Sequence, residues 1–164
     1  MKRSFPPIIH PSARVLILGS LPGEESLRQR QYYAHPRNQF WRILSEIYRV
    51  PFLAVYPDRL ALLQQKHLAL WDVVQRGERE GSLDQAIRDA TPNDFSWLFT
   101  MYPDLRAIVF NGRKAHDMFL RQVLKQQTAV DLERFPRVLM PSTSPTATLP
   151  LAEKIKQWRR IVDL

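Results

Sequence analysis

The residues best equipped for chemistry stand together in QYYAHPRNQFW, residues 31 to 41. Tyr33 and Phe40 offer ring faces on which a planar group can stack, and Arg37 offers charge for a phosphate. Asn38 carries an amide that both donates and accepts hydrogen bonds but has no useful pKa. As isolated residues the same side chains serve as core aromatics, a solvated arginine and a helix N-cap. Their concentration around Pro36 is what those readings leave unexplained.

Further groups of this kind lie at short loops. Gly19-Ser20-Leu21-Pro22-Gly23 is a turn whose glycines permit close backbone approach, which would let its amides face a base or a phosphate; taken alone, a plain tight turn between strand and helix is the better account of it. Met140-Pro141-Ser142-Thr143-Ser144-Pro145-Thr146 sets three consecutive hydroxyl residues between prolines, which suits either a grip on phosphodiester oxygens or helix capping before Pro150. Asp72 follows Trp71 as a buried anchor or an acceptor that reads a base edge. Asn111-Gly112 is a turn or a further polar contact.

Other chemistries lack their residues. The glycine turn has no Gly-Lys-Ser/Thr and is not a P-loop, and neither HExxH nor GxSxG occurs. The 4 histidines are scattered, at positions 10, 35, 67 and 116, and no acidic cluster gives metal spacing, so no metal site is expected. With 0 cysteines the chain has neither disulfides nor a thiolate-held zinc or iron-sulfur cluster.

These loops have to be carried by something rigid. Runs rich in Val, Ile and Leu with little alternation occur at Arg14 to Gly19, Leu68 to Val74, Leu105 to Phe110 and Arg137 to Met140, and read as strands buried on both faces. Helical spacing joins Phe40, Trp41, Leu44, Ile47 and Tyr48; then Ala115, Met118, Phe119, Gln122 and Val123; then Leu151, Ile155, Trp158 and Val162. Pro36 suits the first turn of a helix, which places Asn38 near its N-terminus. The alternation predicts an α/β fold, a short and mainly parallel four-stranded central sheet covered by helices on both sides as a three-layer α/β/α sandwich. Ligands of such sheets bind beyond the carboxyl ends of the strands, which is where the loops above fall.

The chain has 164 residues, 45% of them hydrophobic, enough for one domain with a real core, and nothing in its composition divides residues 1 to 164. A formal charge of +8, from 24 Lys and Arg against 16 Asp and Glu, favours a polyanionic partner, nucleic acid first. The apolar run Val15 to Leu18 is too short for a membrane span, and no signal-peptide cleavage pattern follows the basic start, so a cytoplasmic address is expected. A monomer is the default.

The blocks LILGSLPGEESL, QYYAHPRNQFW, LWDVVQRGEREGSLDQAI, VFNGRKA and LMPSTSP, in that order between residues 16 and 145, resemble the uracil-DNA glycosylase superfamily, most closely its hypoxanthine (deoxyinosine) DNA glycosylase branch. The resemblance implies a DNA repair enzyme that needs no cofactor. It would flip a deaminated base out of damaged DNA and hydrolyse the N-glycosidic bond to leave an abasic site. It places the catalytic asparagine at Asn38, which would orient water or stabilise the developing cation through its carbonyl oxygen. The base pocket would draw on Gly19, Ser20, Leu21, Pro22, Tyr33, Phe40, Asp72 and Asn111. DNA contacts would come from Arg37, Ser142, Thr143, Ser144 and Thr146, with diffuse help from Lys154, Arg159 and Arg160.

Two departures from the uracil branch stand out, and one from the mismatch enzymes. Leu21 occupies the place of an Asp or Asn that positions water, and Met140 that of a histidine facing the departing base. Thr146 stands where mismatch enzymes carry a long residue that fills the vacated helix, and it is too short for that; Leu149 is the nearby substitute. Uracil or mismatched thymine as the target, or a silent DNA-binding module of the same fold, are the alternative readings.

Overall fold

The computed structural model describes residues 1–83 and 87–164; positions 84–86, inside the block LWDVVQRGEREGSLDQAI, lie outside the described residues. In chain order the elements are β1 (Lys2–Arg3), β2 (Val15–Gly19), α1 (Glu24–Gln29), α2 (Phe40–Ile47), α3 (Tyr56–Gln65), β3 (Leu68–Asp72), β4 (Val74–Glu78), β5 (Arg88–Pro92), α4 (Phe95–Met101), β6 (Ala107–Asn111), α5 (Arg113–Met118), β7 (Arg137–Met140) and α6 (Leu151–Trp158). A π-helical stretch, Phe119–Leu124, prolongs α5, and a 3-10 turn, Arg159–Asp163, prolongs α6.

The central sheet is parallel throughout, in the order β3-β2-β6-β7. Its strands are apolar without alternation because both faces are covered. Leu16, Leu18, Ile108 and Phe110 face Phe95, Met118 and Phe119 on one side. Val15, Ile17 and Val109 face Phe40, Leu44, Leu63 and Trp158 on the other. From β2 the chain proceeds to β3 at one edge, and from β6 to β7 at the other. The order therefore reverses between β2 and β6, and a crevice opens beyond their carboxyl ends.

Two expected boundaries shift. The run Leu68 to Val74 is two strands: β3 ends at Asp72, and β4 leaves for a second, antiparallel sheet of order β1-β4-β5. Val73 and Val74 are fully buried in the core shared by both pieces, which is why the break is invisible in the apolar run. Pro36 does not open a helix. It is the second residue of a turn in which the Asn38 amide donates to the His35 carbonyl at 2.9 Å, a position that suits its fixed φ, and α2 begins only at Phe40. Val162, placed by spacing on the buried face of the last helix, is 48% exposed, because the chain there has tightened to 3-10 geometry.

Candidate active site

Beyond the carboxyl ends of β2, β3 and β6 lies a cleft of about 660 Å³. Its floor is the turn after β2. Gly19 pairs with Asp72 across the β2–β3 ladder, and a Cβ at Gly19 would lie 2.6 Å from Asp72 Oδ1 and 3.1 Å from Tyr33 Oη. Only glycine leaves room for that carboxylate and phenol to converge over the strand end. Asp72 is itself 4% exposed, and its backbone carbonyl accepts from Asn93 Nδ2 at 2.7 Å.

Arg79, in the loop after β4, is 7% exposed and donates through one guanidinium nitrogen to the carbonyls of Leu21 at 3.1 Å and Pro22 at 2.5 Å. Ser82 Oγ accepts from the Glu24 amide at 2.9 Å. The second sheet thus holds the glycine turn in shape. Neither residue stands out in the sequence, since Arg79 lies between two glutamates in a stretch that reads as a solvated charge run.

One wall is the segment 31–38. The Tyr32 amide donates to Tyr56 Oη, Trp41 Nε1 donates to the Tyr32 carbonyl, and the Ala34 amide donates to Ser26 Oγ. Tyr33 sits at φ 54, a left-handed conformation uncommon for a bulky residue. Its ring lines the cleft and stacks at 4.2 Å on Phe40. Phe40, expected in the pocket, is fully buried behind Tyr33 and does not reach the cleft; it begins the apolar face of α2 and packs on Trp158 and Trp41.

The opposite wall is the loop after β7. Gly112 has φ 96, and a Cβ there would lie 3.1 Å from that of Ser142, so the glycine brings the ends of β6 and β7 together. At this junction a chain of hydrogen bonds crosses the cleft wall. The Thr143 amide donates to Asn111 Oδ1 at 3.0 Å, Asn111 Nδ2 donates to Thr143 Oγ1 at 2.9 Å, and Thr143 Oγ1 donates to Asn38 Oδ1 at 2.8 Å. Asn38 Oδ1 also accepts from the Phe40 amide at 3.0 Å. Asn38 therefore closes an Asx turn at the start of α2, one residue before the cap position at Gln39, and lines the cleft at the same time. Its carbonyl oxygen, expected to meet water or the developing cation, has both lone pairs engaged within the protein.

Thr143, expected to touch phosphate, is fully buried, and its amide, carbonyl and hydroxyl all have internal partners. Ser142, Ser144 and Thr146 remain at the cleft surface, where Ser144 Oγ lies 2.9 Å from Thr146 Oγ1. Arg37 is exposed at the rim, as is His35, whose Nδ1 accepts from the Arg37 amide at 3.1 Å.

Lys154, expected to make diffuse phosphate contacts, is 1% exposed. Its ammonium donates to Gln39 Oε1 at 2.9 Å and to the Ala147 carbonyl at 3.2 Å, and burial pulls its pKa below the usual lysine range. It ties the two walls together. Arg159 and Arg160 belong to the 3-10 turn that follows α6 and do not line the cleft, and Leu149, 36% exposed, lies outside it. Among the described residues no group of three His, Asp or Glu stands close enough to hold a metal ion, and no helix is long and apolar enough to cross a membrane.

Comparison with known proteins matches residues 6–162 to the family described as the uracil DNA glycosylase superfamily. Two proteins named hypoxanthine DNA glycosylase are similar in sequence. One, from Methanosarcina barkeri, is 45% identical over 70% of this chain and 73% of its own. The other, from Methanosarcina acetivorans, is 46% identical over 70% of this chain and 73% of its own. The solution NMR structure of a Methanosarcina acetivorans protein assigned provisionally to the uracil DNA glycosylases superimposes with a TM-score of 0.82 at 36% identity, covering 98% of this chain and 96% of that one.

Proposed function

This chain belongs to the uracil DNA glycosylase superfamily, and from that premise we propose that it is a monofunctional deoxyinosine glycosylase whose catalytic amide is Asn38. It is a DNA repair enzyme that removes a deaminated base by hydrolysing an N-glycosidic bond. One observation carries the assignment of the site. One cleft at the point where the strand order reverses gathers a half-buried amide, a stacking ring, a buried carboxylate and a loop whose Ser142, Ser144 and Thr146 hydroxyls line it.

In this reading the lesion leaves the stack and enters the cleft, where its ring lies on Tyr33, itself backed by Phe40. Asp72 accepts the N1 proton of hypoxanthine, and backbone amides around Ser20 donate to O6. Ser142, Ser144, Thr146 and Arg37 hold the flanking phosphates. The bond between C1′ and N9 breaks with its electron pair going to the base, an oxocarbenium-like sugar forms, and water adds at C1′. The water's surplus proton passes to solvent and the base takes one up, leaving hypoxanthine and an abasic site. Rate comes from positioning and electrostatics, since no acid or base of suitable pKa is required. Among the described residues no lysine lines the cleft, and Lys154 behind its walls is buried with its ammonium engaged, so no Schiff base forms and strands are not nicked. The enzyme acts as a cytoplasmic monomer.

The test is a cleavage assay on duplexes carrying a single inosine, uracil, xanthine or mismatched thymine, with abasic sites developed by alkali. Wild-type protein is expected to cut inosine without added metal, and Asn38→Ala to keep its affinity for the duplex while losing cleavage. Binding by both proteins without release of any base would leave only a DNA-binding fold.

A further inference from the structure

We propose that the Phe40 amide and the Thr143 hydroxyl together fix the polarity of the catalytic amide, so that Asn38 meets the reacting nucleotide with its Nδ2 hydrogens and not with its carbonyl oxygen. The inference rests on the assignment of Asn38 as the catalytic residue and deepens it.

Two backbone amides, which can only donate, set every direction in the network. The Thr143 N–H must give to an oxygen, so the Asn111 atom 3.0 Å away is Oδ1, and Asn111 Nδ2 is left to donate to Thr143 Oγ1. That hydroxyl, already accepting, has one proton to give, and gives it to Asn38 at 2.8 Å. The Phe40 N–H, at 3.0 Å, demands an acceptor at the same Asn38 atom. Oδ1 therefore receives two donors and has no lone pair left for substrate, whereas Nδ2 carries two hydrogens on a half-buried side chain that lines the cleft. Thr143 is fully buried and touches no substrate; it is a positioning residue.

The chemical consequence is specific. A donor is of most use where negative charge develops, and in this reaction that is the departing base as it takes the electron pair of the C1′–N9 bond. The amide of Asn38 stabilises the leaving group and does not activate water.

Asn38→Asp separates the two polarities, because the carboxylate still accepts from Phe40 and Thr143 but has nothing to donate. Single-turnover excision of hypoxanthine is expected to fall as far in Asn38→Asp as in Asn38→Ala. Thr143→Val, which removes one of the two donors that hold Oδ1 and leaves the Phe40 amide alone to orient it, is expected to slow excision on the order of tenfold, the scale of one hydrogen bond. Its affinity for a duplex bearing a stable abasic-site analogue should not change, and Thr143→Ser, which restores the hydroxyl, should recover most of the lost rate. An inactive Asn38→Ala beside an active Asn38→Asp would overturn the polarity and leave the proposed function standing. An Asn38→Ala protein that cuts at the wild-type rate would remove the catalytic assignment and this inference together. If Thr143→Val folds and cuts as fast as wild type, Thr143 has no positioning role; if it does not fold, the comparison at position 38 decides alone.

Discussion

At Gly19 a single methyl group tests whether the pocket floor is as tight as it looks. Gly19→Ala puts a Cβ 2.6 Å from Asp72 Oδ1, in a site where the carboxylate is buried and has little freedom to withdraw. Overpacking of this kind costs about 1–3 kcal/mol. The expected result is a lowered melting temperature and a larger loss of excision than of stability, measured by thermal denaturation beside the inosine assay. Residue types at this scale were readable where chemistry demanded them: Asn38, Tyr33, Asp72 and the glycine turn all line the cleft. The end of the Asn38 amide that is held by the protein was not readable, because its partner Thr143 lies 105 residues away and only tertiary structure brings them together. Phe40 and Thr143 misled for a related reason. A ring or a hydroxyl adjacent to a site residue in sequence can point into the core behind it.

Among the elements, α2 carries the heaviest duty, since its start holds Asn38 and its buried face supports Tyr33 through Phe40. Tyr48 closes this helix, and burial pushes its pKa from 10.0 up to about 12. The unfolded chain ionises first as pH rises, so the contribution of Tyr48 is fully present below pH 10 and is lost as pH climbs through about 12. Tyr48→Phe should flatten that part of the alkaline stability profile, as followed by circular dichroism against pH. The parallel strands were legible because helices on both faces impose unbroken apolar runs. The antiparallel sheet was not, because β1 has two residues, β4 mixes buried and exposed positions, and the junction at Val73 is masked by burial.

For the whole molecule, charge sets how DNA is held. With a net charge of +8, the logarithm of the affinity should fall linearly with the logarithm of salt concentration, with a slope of about −0.9 per phosphate neutralised. Arg37→Ala removes one cation at the rim of the cleft. It should weaken intact and inosine-containing duplexes alike and reduce the slope by about 1, in a fluorescence-anisotropy titration at several salt concentrations. A loss confined to the inosine duplex would instead assign Arg37 to reading the base.

The two walls of the cleft are joined by bonds between residues far apart in the chain, Asn38 to Thr143 across 105 positions and Gln39 to Lys154 across 115. During synthesis from the N-terminus, the strand, the glycine turn and the tyrosines emerge long before the residues that lock the amide. A chain interrupted short of Thr143 has the makings of a pocket but lacks the bond that ties Asn38 to the opposite wall. A fragment that ends before Thr143 lacks both cross-wall bonds and is expected to release no base in the inosine assay.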